Sequence, residues 1–226
     1  MREIVLDTET TGLDPLAGHR VVELGCVELE NMVATGRTFH AYFNPEMAMP
    51  AGAQDIHGLS DEFLADKPSF AEKVEEFLEF VGDAQLVIHN AQFDIGFLNA
   101  ELERVGKAKL INAYVDTVSV ARKKFPGQRV SLDALCERFS IDNSNRVKHG
   151  ALLDSELLAE VYLELSGGRQ RDLGLAAEIA GGVTAVLVAS NLPVRPPRPH
   201  APSVAELAAH AEFLKQIKEP MWLAAA

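Results

Sequence analysis

Cysteine is scarce. Only Cys26 and Cys136 among 226 residues carry a thiol, and they are far apart without metal-ligand spacing. That placement favours two reduced thiols packed in a core over a disulfide or a zinc site. No apolar run approaches the ~18 residues of a membrane-crossing helix, and the chain enters a strand-like segment at once instead of a basic-then-apolar leader. A cytoplasmic protein with no membrane contact is expected. Basic residues are outnumbered, 21 Lys and Arg against 33 Asp and Glu, for a formal net charge of −12. Proteins that grip nucleic acid through a broad basic face draw their affinity from phosphate neutralisation, so that mode is disfavoured. Binding through a few local contacts and bound cations, or delivery by a partner, remains open. The hydrophobic share of 47% supports a full core, and the length accommodates one large domain plus an appendage.

Residues 3–9, about 20–30 and about 36–43 are rich in Val, Ile, Leu, Phe and Tyr with partial alternation, and Gly12, Pro15, Gly18 and Gly36 interrupt them. They read as three consecutive strands in a meander. From Ser69 the period changes: Phe70, Val74, Phe77, Leu78 and Val81 recur at three and four residues, with Ser69 and Glu72 spaced as a capping box. A short buried strand over Gln85–His89 follows, then a helix with Phe93, Phe97, Leu98 and Leu102 on its apolar face, ending near Gly106. Val115-Asp116 starts another strand-to-helix step, and residues 131–139 and 150–165 carry two more helical stripes. Strands first, then strands alternating with helices, predict an α/β fold with a mixed sheet flanked by helices.

Past Gly167-Gly168 the character shifts. Pro193, Pro196, Pro197, Pro199 and Pro202 predict a stiff extended linker. Beyond it Val204, Leu207, Ala208, Ala211, Leu214 and Ile217 mark one face of a helix, followed by Trp222. The expected organisation is a domain over 1–168, a linker over 169–202 and a terminal helical segment over 203–226. A short amphipathic helix is marginal alone and needs a surface to lie on.

Asp7 and Glu9 close the run Ile4-Val5-Leu6, so a strand over 3–9 puts both carboxylates on one face. No Lys or Arg lies in Asp7-Thr8-Glu9-Thr10-Thr11-Gly12 to neutralise them, and a divalent cation is the economical partner. Asp94 sits just past a strand at a helix start, where the side chains of α/β active sites gather. His149 and Asp154 flank another helix entrance. Together Asp7, Glu9, Asp94 and Asp154 have the donor set for two Mg²⁺ or Mn²⁺ ions about 3.5 to 4 Å apart, with His149 able to take a proton from water at neutral pH. Singly, each has a plainer reading: Asp7 and Glu9 as strand-end solvation, Asp94 as a helix cap, His149 as a loop residue. Asp116 reads as the N-cap of the helix that follows it and stays outside the metal set.

The strings Asp7-Thr8-Glu9-Thr10-Thr11-Gly12, His89-Asn90-Ala91-Gln92-Phe93-Asp94 and His149-Gly150-Ala151-Leu152-Leu153-Asp154 resemble the three exonuclease motifs of the DEDDh 3′–5′ exonucleases. Phe125-Pro126-Gly127, Ser131-Leu132-Asp133-Ala134-Leu135-Cys136, Ile141-Asp142-Asn143-Ser144 and Leu158-Ala159-Glu160-Val161-Tyr162-Leu163 extend the resemblance to the family of epsilon proofreading subunits of bacterial DNA polymerase III, over nearly all of residues 1–168. The resemblance implies an RNase H-like fold, metal binding by the four carboxylates and general-base action by His149. It also implies that Thr8, His57, Asn90 and Phe93 line the pocket for a terminal nucleotide. From the residues alone His57 reads as a loop residue and Phe93 as core.

Under the same resemblance the partners are a DNA 3′ end, the polymerase alpha subunit held by the C-terminal tail, and a sliding clamp. Gln170-Arg171-Asp172-Leu173-Gly174-Leu175 looks like a weak clamp motif with Gln170 and Leu173 as anchors, and Leu175 stands where an aromatic residue would bind more strongly. Three rivals stay open. An aspartyl phosphatase would use Asp7 as nucleophile but leaves His149 and Asp154 without a role. An RNA-processing member of the same family shares the chemistry, since discrimination rests on contacts around the sugar 2′ position. A non-catalytic adaptor would bridge clamp and polymerase.

Overall fold

Alternation along β1, Arg2–Thr10, sends Ile4 and Leu6 to one face of a sheet and Val5 to the other. β1 pairs antiparallel with β2, Val21–Glu30, which pairs antiparallel with β3, Val33–Tyr42. On its other edge β1 runs parallel to β4, Gln85–Ile88, and β4 to β5, Tyr114–Asp116, giving the order β3-β2-β1-β4-β5. This computed structural model describes residues 1–146, 148–168 and 201–217. The predicted mixed sheet flanked by helices is what it contains, in the RNase H-like arrangement.

Each face of the sheet is covered by its own helices. α3, Phe70–Val81, and α4, Ala91–Arg104, bury Phe70, Phe77, Phe97 and Leu98 against Ile4, Leu6, Leu86 and Ile88. α5, Thr117–Lys124, α6, Leu132–Phe139, and α7, Ala151–Leu165, pack Ala121, Leu135, Leu158 and Val161 on Val5, Val27 and Val87. α3 starts at the expected capping box of Ser69 and Glu72. Cys26 and Cys136 are free, buried thiols on opposite faces. Asp116 is the N-cap of α5, accepting from the Val118 N–H at 3.1 Å and the Ser119 hydroxyl at 2.6 Å.

Two short helices add to the expected elements. α1, Ala51–His57, and α2, Asp61–Leu64, sit on a small cluster of Val22, Met49 and Leu64. His57 is therefore the buried last residue of a helix, not a loop residue.

A separate unit, Glu178–Ala226, contains α8, Val204–Leu214, begun by a Ser203–Glu206 capping box and exposing Val204, Leu207 and Phe213. Gln170, Leu173, Leu175, Trp222 and the prolines from Pro193 to Pro199 lie outside the described residues.

Candidate active site

Side chains alternate along β1, so Asp7 and Glu9 share Val5's face, toward α7, while Thr8 points with Leu6 toward α4. Register places Asp7 opposite Gly25 and Glu9 opposite Glu23 of β2. With no side chain at Gly25, the first turn of α7 settles directly on β2. A Cβ there would stand 2.3 Å from the backbone of Ala151 and Leu152. The buried Ser155 hydroxyl pins the contact by donating to the Gly25 carbonyl at 3.0 Å. Asp154, one residue earlier, is thereby brought to the carboxylates of β1.

Asp94 arrives from the other side. β4 ends at Ile88 beside Leu6, and α4 begins soon after, with Asp94 in its first turn. It is a helical residue rather than a cap. The Thr8 N–H and hydroxyl both donate to Asp94 Oδ1, at 3.0 and 2.7 Å, so Thr8 orients a carboxylate as well as lining the cleft. The turn into α4 passes through Asn90 in the left-handed region at φ 71°, and Asp116 steadies it by accepting the Asn90 N–H at 3.1 Å.

These elements enclose an open cleft of about 840 Å³. Asp7, Glu9, Asp94, Asp154 and His149 line it, and so do Thr8, His57, Asn90 and Phe93. Phe93 combines both readings made of it, since its ring lies 4.9 Å from that of Phe97 on the core side and the residue also lines the cleft. Leu59 donates its N–H to His57 Nδ1 at 3.0 Å, leaving the proton on Nε2, which is buried and has no hydrogen-bond partner among the described residues. A buried donor left unpaired is costly unless a ligand completes it.

The electrostatics of the carboxylates favour a positively charged partner. Burial first, then the charges of Asp94, Glu9 and Asp154, hold the Asp7 carboxyl well above the usual carboxylate range. Burial, with Asp154 and Glu23 nearby, pushes Glu9 up to about 8. Burial pushes Asp94 up to about 7 against the opposing pull of its Thr8 hydrogen bonds. Burial and the Arg146 charge hold His149 below the ordinary imidazole range. All-oxygen donors of this kind suit Mg²⁺ or Mn²⁺. Glu9, His149 and Asp154 each offer a ligand atom within 4.8 Å of the others'. The residues fit divalent cations.

Raised carboxylate values carry a sign. Between the unfolded range near 4 and the folded 7 to 8, the native state binds more protons than the unfolded chain. The associated stability is complete at low pH and is lost as pH rises through 8. Thermal melts in chelator should fall from pH 5.5 to pH 8.5 by an amount worth a few kcal/mol, since each tenfold change in a group's proton affinity is worth about 1.4 kcal/mol. Saturating Mg²⁺ should flatten the trend. A melting temperature that climbs with pH in chelator would contradict the electrostatic picture.

Residues without a sequence signal also reach the cleft. Arg146 binds both oxygens of Asp154, and His89 Nδ1 pairs with the Thr117 hydroxyl at 2.9 Å. Leu13 and Ile56 present exposed apolar surface at the rim. His89 opens the second motif, but nothing in its local pattern assigns it a role. A charged loop residue such as Arg146 has no periodicity to betray it.

The exonuclease family profile matches residues 4–162. Fold, carboxylate cleft and profile define a metal-dependent 3′–5′ exonuclease. Among curated relatives, DNA polymerase III subunit epsilon of Rickettsia felis is 49% identical over 222 residues, covering 96% of this chain and 97% of the relative. The Escherichia coli subunit of the same name is 50% identical over 185 residues, covering 78% and 76%. The chain belongs to the DNA polymerase III subunit epsilon family. Among solved structures, the nuclease domain of 3′hExo, a DEDDh family member bound to rAMP, superposes with TM-score 0.64 at 19% identity, covering 75% of this chain and 94% of that one. Exonuclease X in complex with 5′ overhanging duplex DNA superposes with TM-score 0.58 at 23% identity, covering 73% and 90%. These two likenesses speak to the fold.

Proposed function

We propose that the cleft hydrolyses the last phosphodiester of a DNA 3′ end, releasing nucleoside 5′-monophosphates one at a time, with Asp7, Glu9, Asp94 and Asp154 holding two divalent cations and His149 as general base. The observation that carries this reading is the convergence of four carboxylates, three with ionisation suppressed by burial and two of these, Asp7 and Glu9, also by neighbouring carboxylates, beside the half-exposed His149. When bound, the cations activate the attacking water and stabilise the leaving oxygen. The protein's own residues do the rest. Thr8 orients Asp94, and Ser155 with Gly25 seats α7 so that Asp154 faces Asp7. His149, kept below the ordinary imidazole range chiefly by burial, accepts the water's proton as the P–O3′ bond breaks. His57 Nε2–H and Asn90 supply polar contacts to the terminal nucleotide, and the Phe93 ring offers a face for its base.

In this reading the enzyme is a cytoplasmic replicase subunit. Residues 1–168 form the nuclease, 169–202 a linker whose Gln170, Leu173 and Leu175 contact the sliding clamp, and 203–226 the segment that binds the polymerase alpha subunit. Exposed Val204, Leu207 and Phe213 on α8 favour that last assignment, as apolar anchors dominate interfaces.

A 5′-labelled primer with a mispaired 3′ end tests the activity beside an RNA strand of equal sequence. One-nucleotide shortening of DNA that requires Mg²⁺ and spares RNA is expected. Preference for RNA would move the chain to RNA processing, and no metal-dependent shortening of either strand would leave an adaptor. Deleting residues 203–226 should abolish co-elution with the polymerase subunit while nuclease activity persists. Retained co-elution would remove the tether.

A further inference from the structure

Within the cleft one cation is already present, and it is covalently part of the chain. Arg146 is the only lysine or arginine among the described residues lining the cleft. Its side chain is 7% exposed. Nε donates to Asp154 Oδ1 at 2.5 Å and Nη2 to Asp154 Oδ2 at 2.6 Å, so each oxygen of that carboxylate carries a bond from the guanidinium. Nη2 also lies 2.9 Å from His149 Nδ1. A guanidinium has donors only, so Nδ1 must present its lone pair, and a neutral imidazole then carries its proton on Nε2. Such a ring has no lone pair left for a water proton. One side chain thus occupies the Asp154 carboxylate and the accepting nitrogen of His149 together.

We infer that Arg146 is a latch on Asp154 and His149, and that it leaves both together when a divalent cation binds. The inference rests on the proposed metal-dependent reading of the cleft. Two positive groups on one buried carboxylate repel at short range, so guanidinium and divalent cation exclude each other at Asp154. The released arm has a second anchor. Nη1 already donates to both oxygens of Asp133 on α6, at 2.9 and 3.0 Å, and that carboxylate is 57% exposed at the cleft's outer edge. Arg146 can pivot outward about Asp133 without giving up a charged partner. The ligand and the base become available in one movement, which keeps the nuclease closed until cation is bound.

Calorimetric titration of Mn²⁺ into the metal-free full-length protein tests this, comparing wild type with Arg146→Gln and Arg146→Lys. Both variants should bind Mn²⁺ roughly 10-fold or more tightly than wild type, the equivalent of one charge-assisted hydrogen bond. Arg146→Lys is decisive, since it keeps the charge but lacks the fork that spans Asp154 and His149. Imidazole ¹⁵N spectra without metal should show His149 of the wild type as the Nε2–H tautomer with Nδ1 hydrogen-bonded, a signature lost in both variants. Wild-type Mn²⁺ affinity in Arg146→Lys would overturn the latch while leaving the metal site standing. Failure of all three proteins to bind Mn²⁺ would overturn both.

Discussion

Asp7→Asn should yield a protein that has lost its nuclease activity and yet, without divalent cations, unfolds at a higher temperature than wild type. Asp7 stands at the centre of the carboxylate group, where burial and the charges of Asp94, Glu9 and Asp154 all oppose its ionisation. Asparagine keeps the shape and removes one anion, so Glu9 and Asp94 lose a repulsive neighbour. Relief on the order of 1 to 3 kcal/mol is expected at pH 8, seen as a melting temperature several degrees higher in chelator. At pH 5.5 the gain should shrink, because the wild-type carboxyls then carry protons. Primer shortening in Mg²⁺ should drop by roughly 10³-fold or more, about 4 kcal/mol of transition-state stabilisation. Activity within tenfold of wild type would remove Asp7 from the metal set, and a lower melting temperature would deny the strain assigned to the cluster. The two readouts move oppositely, so misfolding cannot imitate the result.

Gly25→Ala should be as damaging although it adds only one methyl and no charge. The added Cβ would sit 2.3 Å from the backbone of Ala151 and Leu152, and backbone cannot rotate aside as a side chain can. Either α7 lifts or β2 bends, and the Ser155 hydrogen bond to the Gly25 carbonyl is strained in both cases. Overpacking costs about 1 to 3 kcal/mol, more where the obstacle is rigid. Since α7 carries Asp154, its displacement also separates Asp154 from Asp7, and about 1 Å of misplacement can cost 100-fold in rate. Melting temperature, Mn²⁺ affinity and primer shortening should fall together. Gly96→Ala is the control: its Cβ meets open space in the middle of α4, so stability should hold or rise by about 0.5 to 1 kcal/mol. A Gly25→Ala protein with wild-type melting and Mn²⁺ affinity would mean that α7 is not seated by that contact.

Much of the molecule is legible along the chain because the signals are local. Period two along residues 3–9 puts Asp7 and Glu9 on one face without reference to any neighbour, and β1 runs from Arg2 to Thr10. The Ser69–Glu72 spacing announces α3, and the stripes at 91–104 and 150–165 announce the helices that carry Asp94 and Asp154. α1 and α2 escape such a reading because seven and four residues, opening Ala51-Gly52-Ala53, are too short to show a stripe, and their helicity rests on packing against Val22 and Met49. His57 is hidden with them.

The sequence by itself determined the chemistry available: four carboxylates and a histidine at the ends of periodic segments, and the motifs that mark the family. Only the tertiary structure decided how they meet. Thr8 holds Asp94 across 86 positions of chain, and Ser155 holds Gly25 across 130. Arg146 is a solvated loop residue until Asp154, Asp133 and His149 surround it. Periodicity and caps express forces acting over a few residues, so they can be read in one dimension. The charge balance of a buried site is a sum over groups distant in sequence, and it exists only once folding has brought them out of water together.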